Sequence, residues 1–225
     1  MRQNHFDFRF NDINKNYFCL SKKNYLAFNL ISLWPKWSLQ NVLIYGPKSC
    51  GKTLICSMWR EKSKAKTIDK NFLIKKNMSK VQKIKEGSSW IIDGLDSLLN
   101  SNKENEEMML FIFNTLKEKK CFSIFTSQKN PNEMNISLAD LRSRLSSSLI
   151  VEVKSPDDDL IKKIIKTKLK QKQIKISNEN MDFLIKRIDR DYNVALKISR
   201  MIDDHSLSLK SNISRFFLKK ILSLT

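Results

Sequence analysis

The 225-residue chain contains no run of about 18 apolar residues, the length a helix needs to cross a bilayer, which argues against a membrane span. Its opening, MRQNHFDFRF, lacks the apolar stretch of a secretory signal, so secretion is unsupported and the cytoplasm is the expected location. The four cysteines, Cys19, Cys50, Cys56 and Cys121, form no CxxC pair, and the two histidines, His5 and His205, stand far apart. That argues against a zinc site and for free thiols in a reducing compartment. No internal repeat is visible, which sets aside solenoids and propellers.

Positive charge, by contrast, is in excess. Forty-two lysines and arginines stand against 23 aspartates and glutamates, a formal net charge of +19 that favours contact with nucleic acid or an acidic protein surface. Lysine, isoleucine and asparagine are abundant throughout, as an AT-rich coding sequence produces, so a solvated basic surface without a dedicated groove explains the same count. The charge count leaves non-specific contact with DNA open. The 41% apolar content suffices for a buried core in one large domain, or one domain with a small lid.

Residues 1–16 are polar with interspersed phenylalanines and no helical period, which predicts an arm outside the folded body. A helix is expected over 22–33, a strand over 42–45 entering a glycine-bounded loop, and a helix over 54–60. Short apolar segments at 72–74, 90–92 and 122–125 read as further strands, the last two separated by a helical stretch at 104–119. This alternation predicts an α/β fold with a parallel sheet flanked by helices, ending near Val153. After Pro156 the apolar residues recur at three-to-four spacing, as in Leu160, Ile161, Ile164 and Ile165, then Phe183, Leu184 and Ile188, and predict a small all-helical lid. The expected division is an arm at 1–16, an α/β nucleotide-binding domain at 17–155 and a helical lid at 156–225.

GPKSCGKT, at 46–53, meets the whole GxxxxGK[ST] pattern between a predicted strand and a predicted helix. The glycines permit a tight backbone path that aims several N–H groups at phosphate oxygens, and the helix adds its positive N-terminal end. Gly46, Pro47, Lys48, Ser49, Cys50, Gly51, Lys52, Thr53 and Leu54 are therefore the expected contacts of a bound ADP or ATP, with Lys52 on the terminal phosphates. Thr53 would place its hydroxyl on Mg²⁺, and Asp93, ending the apolar strand WIIDG, would hold the same ion. An aspartate there also suits a plain turn cap. Cys50 reads either as a redox-sensitive thiol in the loop or as a small filler.

The phosphate loop, the Asp93 strand, FTSQKNP at 125–131, LADLRSRL at 138–145 and LIKRIDRDY at 184–192 occur in an order that resembles the AAA+ domain of the DnaA/Hda group, over nearly the whole chain. The likeness is stronger to its short Hda branch, because the chain stops at Thr225 without length for the DNA-reading helix-turn-helix of DnaA. The resemblance implies an AAA+ P-loop fold and a regulator of replication initiation that acts on DnaA. Gln3, Phe6 and Phe8 fit the spacing of the Hda peptide that binds the β sliding clamp of DNA polymerase III, an amide anchor followed by two aromatic plugs. Arg144 matches the arginine finger that reaches a neighbouring subunit's γ-phosphate, with Arg142 beside it. Gln128 matches the first sensor, and residues 17–24 match the loop lining the adenine pocket.

Two positions depart from the pattern. Gly94 stands where DnaA carries a second acid that helps orient the attacking water, and Asn193 stands where the lid carries a sensor arginine, with Arg190 one turn earlier. The resemblance therefore implies weak or no ATP turnover by the chain itself and catalysis exerted in trans through Arg144 on DnaA. A non-catalytic clamp adaptor and a DNA-acting ATPase of helicase-loader type are the competing readings, and assembly into a homo-oligomer is left open.

Overall fold

The computed structural model describes residues 18–73, 78–99, 102–209 and 213–223. The arm at 1–16, with Gln3, Phe6 and Phe8, lies outside the described residues.

Five short strands assemble into one sheet: β1 (Asn41–Tyr45), β2 (Lys66–Ile68), β3 (Ser89–Ile92), β4 (Phe122–Ser127) and β5 (Leu149–Glu152). All neighbours pair in parallel, in the order β2-β3-β4-β1-β5. Parallel strands are covered on both faces, which is why the runs VLI of β1 and WII of β3 are apolar without alternation. Period two still sorts their side chains: Val42, Ile44, Ile91 and Ile124 enter one core, and Leu43, Ile92 and Phe125 the other. Helices α1 (Tyr25–Leu33) and α2 (Lys52–Ser63) close the first core. Helices α3 (Met78–Gln82), α4 (Leu95–Leu99), α5 (Lys103–Glu118) and α6 (Ala139–Ser146) close the second.

Four helices follow the sheet, α7 (Asp158–Gln171), α8 (Asn178–Ile185), α9 (Tyr192–Leu209) and α10 (Arg215–Leu222), around a third core of residues such as Ile164, Leu184, Ile198 and Leu218. Their starts are written in the sequence, since Asp157, Ser177 and Ser214 each accept a backbone N–H of the first turn. Leu54, in the first turn of α2, and Cys19 pack into this third core and so join the helical region to the phosphate loop. Among the described residues no helix is long and apolar enough to cross a membrane.

Among the differences from expectation, one strand is replaced and one helix start is shifted. Of the segment expected as a strand at 72–74, Phe72 and Leu73 belong instead to a 3₁₀ turn, Lys70–Leu73, started by Asp69, whose carboxylate accepts the Phe72 N–H at 3.1 Å, and Ile74 lies outside the described residues. The edge strand is Lys66–Ile68, where only Ile68 is buried, too weak an apolar signal to see. Helix α1 begins at Tyr25 rather than 22 because the buried Asn24 folds the preceding turn, accepting from Ser21 N and donating to Cys19 O, both at 2.9 Å.

Candidate nucleotide site

The crevice of an open parallel sheet lies outside the carboxyl ends of its strands, and the sequence motifs converge there. The loop Gly46–Gly51 leaves the end of β1, Asp93 follows β3 and Gln128 follows β4. Gly46 donates its N–H to Ser127 O on β4 at 3.2 Å, which draws the start of the loop toward Gln128. Ser49 (φ 58°) and Gly51 (φ 107°) take left-handed conformations, the kind of turn that makes an anion-binding concavity of backbone N–H groups at the start of α2.

Lys52 extends back across this concavity, its Nζ donating to Gly46 O at 2.6 Å and Pro47 O at 2.7 Å. The carbonyls fix the ammonium at the mouth of the loop, where a phosphate would lie. Thr53 Oγ1 donates to Asp93 Oδ2 at 2.9 Å, and Thr126 Oγ1 donates to Asp93 Oδ1 at 2.5 Å. Thr53 and Asp93, 40 residues apart in sequence, are thus neighbours, and a hydroxyl beside a carboxylate is the hard-oxygen donor set that suits Mg²⁺. Thr126, which orients that carboxylate and also accepts the Gly94 N–H at 2.7 Å, had no signal beyond its place in FTSQ.

A cleft of about 490 Å³ opens beside the loop, lined by Lys48, Ser49, Lys52 and Thr53 on one side and by Tyr192, Asn193 and Leu196 of α9 on the other. Asn193 does not reach outward as a charged sensor would. Its Nδ2 donates to Ser49 Oγ at 3.0 Å, and Tyr192 N donates to Ser49 O at 3.1 Å, so α9 is latched directly onto the phosphate loop. Asp191 sets this geometry by accepting the N–H groups of Asn193 and Val194. Arg190 is held away from the cleft, its Nε bonded to Asp158 at 2.6 Å and its Nη1 to Ile188 O at 2.7 Å. Arg190 is not among the residues that line the cleft.

Gly94 has φ +79°, a conformation that disfavours any side chain, so the absent acid is built into the backbone path and not only into the sequence. Asp96, two residues on, accepts Gln128 N at 2.6 Å and so braces the sensor position through its backbone. The Gln128 side chain itself is exposed. Residues 18–24 line no part of the cleft; Phe18 stacks on Phe28 at 5.2 Å, and Leu20 O accepts from Lys163 on α7. Arg144 sits in the last turn of α6, half-exposed, outside the cleft of its own chain. Among the described residues its guanidinium has no ion-pair or hydrogen-bond partner.

The Cys50 thiol is 3% exposed, and burial raises its pKa against the opposing pull of the Lys52 ammonium. This is a filler thiol rather than a reactive one. Burial likewise raises the pKa of Cys56, with Asp93 adding to the effect, and of the Tyr192 phenol. All three groups hold their protons more firmly folded than unfolded, so their stabilisation is complete below the unfolded values and is lost as pH rises through the folded ones. Stability is therefore expected to fall above pH of about 8.5, by up to about 1.4 kcal/mol per pH unit for each group titrating. Urea unfolding from pH 7 to 10 tests this, and Cys56→Ala should flatten the slope; a flat profile in the parent protein would contradict the burial argument.

A phosphate loop at the carboxyl end of β1, a threonine–aspartate pair across from it and a helical region closing on the loop define an AAA+ nucleotide-binding domain. The family model described as the bacterial DnaA ATPase domain matches residues 12–152, and the chain belongs to that family. Domain III of DnaA from Thermotoga maritima superposes with a TM-score of 0.77 at 16% identity, over 95% of this chain and 98% of that one. AMPPCP-bound DnaA from Aquifex aeolicus gives 0.71 at 19% identity, over 89% and 70%. At these identities the likeness is one of fold. A Haemophilus influenzae protein of uncharacterized function is 28% identical over 190 residues, 80% of each chain. Family membership supports a role related to replication initiation.

Proposed function

We propose that this chain is a clamp-tethered regulator of replication initiation that holds ADP or ATP with Mg²⁺ as a structural ligand and stimulates ATP hydrolysis on DnaA in trans. The observation that carries the reading is an asymmetry. The phosphate cradle is complete, with Lys52 fixed at its mouth and Thr53 beside Asp93, while the groups that would complete hydrolysis are replaced by Gly94 at φ +79° and by Asn193 bonded to Ser49. Arg144, by contrast, is half-exposed and unpaired among the described residues, as a guanidinium meant for a neighbouring molecule would be.

Turnover by the chain itself is not required: DnaA presents the ATP, and Arg144 approaches its γ-phosphate. Bound Mg²⁺ would neutralise phosphate charge, and Thr53 and Asp93 are the residues that would hold it. Lys52 and the left-handed loop would bind the nucleotide phosphates, and the Asn193–Ser49 latch would keep α9 closed over them. Arg144 supplies positive charge where negative charge develops on the transferring phosphoryl group.

Hydrolysis of ATP pre-bound to DnaA, with this protein and DNA-loaded clamp added, is the test; absence of acceleration would leave the adaptor reading instead. Replacing Phe6 and Phe8 together with alanine should abolish clamp binding and leave nucleotide affinity unchanged, because two aromatic plugs carry most of the affinity of so short a peptide. Surface plasmon resonance on immobilised clamp reads the first, and unaltered clamp affinity would dismiss the peptide.

A further inference from the structure

Glu106 is a fully buried carboxylate, 0% exposed, that the site described above does not use. It lies in the first turn of α5 and accepts two consecutive backbone N–H groups from another element, Ser137 N on Oε1 at 3.1 Å and Leu138 N on Oε2 at 2.8 Å. Leu138 is the N-cap residue of α6, and that helix has no side-chain cap of its own. Glu106 holds the backbone N–H groups of the two residues that lead into the helix, so the entry to α6 is fixed from outside, by a charge carried on α5.

Burying a carboxylate is costly unless its oxygens are satisfied, and here both are spent on one purpose. The neighbouring Asn105 anchors the same turn of α5 to the end of α4, donating Nδ2 to Leu98 O at 2.9 Å. At the far end of α6, Ser146 Oγ bonds Asn132 at 2.8 Å and Ser147 Oγ donates to Arg144 O at 2.7 Å. Arg144 stands six residues beyond Leu138, about 9 Å along a helix at 1.5 Å per residue. A small change in the entry angle is therefore carried through one short rigid element to the guanidinium.

We infer that Glu106 is the positioning residue for Arg144: it sets the start of α6, and hence where the finger is presented to a neighbouring molecule, without touching nucleotide itself. The inference rests on the reading of Arg144 as a finger acting in trans. It is sharper than a general stability role, because both carboxylate oxygens go to the two residues immediately before α6.

Glu106→Gln keeps the volume but turns one acceptor into a donor facing a backbone N–H. The expected result is at least a tenfold loss in the maximal stimulated hydrolysis of DnaA-bound ATP, since an ångström of misplacement in a reacting group can cost about 100-fold. The concentration for half-maximal stimulation, the clamp affinity and the nucleotide affinity should be unchanged, and the Ser137 and Leu138 amides should exchange faster with deuterium. Should Glu106→Gln fail to fold, Glu106→Asp, which withdraws the carboxylate by one methylene, is scored by the same readouts. Arg144→Ala is run alongside. Loss with Arg144→Ala but full stimulation with the Glu106 variant overturns this inference alone; full stimulation with both overturns the finger reading and this inference with it.

Discussion

Arg144→Ala is expected to remove nearly all of the stimulated hydrolysis on DnaA while leaving this chain's nucleotide binding and clamp binding as they were. An arginine finger supplied in trans is worth about 10³- to 10⁵-fold in rate, so the excess over the rate of DnaA alone should fall by about 10³-fold or more. Arg144→Lys should rescue little, because a compact ammonium does not reproduce the planar fork that meets phosphate oxygens. The rest of the fold should hardly notice: among the described residues Arg144 makes side-chain contacts of no ionic or hydrogen-bonding kind, and its backbone carbonyl, which accepts from Ser147, survives the change. Single-turnover hydrolysis of radiolabelled ATP on DnaA reads the effect. A variant that stimulates as well as the parent would remove the finger and favour a tether that acts by recruitment alone.

Most of the fold was legible because the signals were local. The strand before GPKSCGKT, the apolar WII and the three-to-four spacing after Pro156 each mark an element by its own composition, and β1, β3 and α7 lie where that composition puts them. The strand β2 was not legible, since Lys66 and Thr67 are exposed and only parallel pairing with β3 makes the segment extended. At the site, Lys52, Thr53 and Asp93 could be named from motif and order. The approach of Thr53 to Asp93 is a long-range fact that topology alone supplies.

What escaped the sequence were contacts whose chemistry is ordinary and whose partner is remote. Nothing in Glu106 distinguishes it from Glu107 beside it until α5 is packed, when one is buried against residues 137–138 and the other is exposed. In the sequence Asn193 is only the loss of a charge; in the structure the amide has a task of its own, a bond to Ser49 144 residues away. A γ-phosphate sensor couples lid position to the nucleotide, whereas a bond from lid to loop holds the lid by the protein itself, which accords with the proposal that nucleotide is kept as a structural ligand.

Gly46→Ala is expected to destabilise the fold more than any change at the remaining glycines, for a reason separable from phosphate binding. A Cβ at this position would lie 2.0 Å from Val153 O and 3.0 Å from its carbonyl carbon, far inside contact distance. Neither side can yield easily. Gly46 N is bonded to Ser127 O on β4, while Val153 N is bonded to Tyr45 O, so separating the two strips the sheet at the end of β1. Overpacking of this kind costs about 3 kcal/mol and more where backbone must move, and about 2–4 °C of Tm is lost per kcal/mol in a domain of this size. The expected fall is therefore about 6–12 °C, measured without nucleotide. Gly87→Ala is the control for a positive φ without a close neighbour: its φ of +70°, against +155° at Gly46, carries the left-handed penalty of about 1–2 kcal/mol, but a Cβ there meets nothing within 4 Å. Equal melting of the two variants would show that backbone conformation, not the approach of Val153, dictates glycine at the head of the phosphate loop. A larger fall for Gly46→Ala would mean that the first glycine of the motif is required by the sheet before any phosphate is bound.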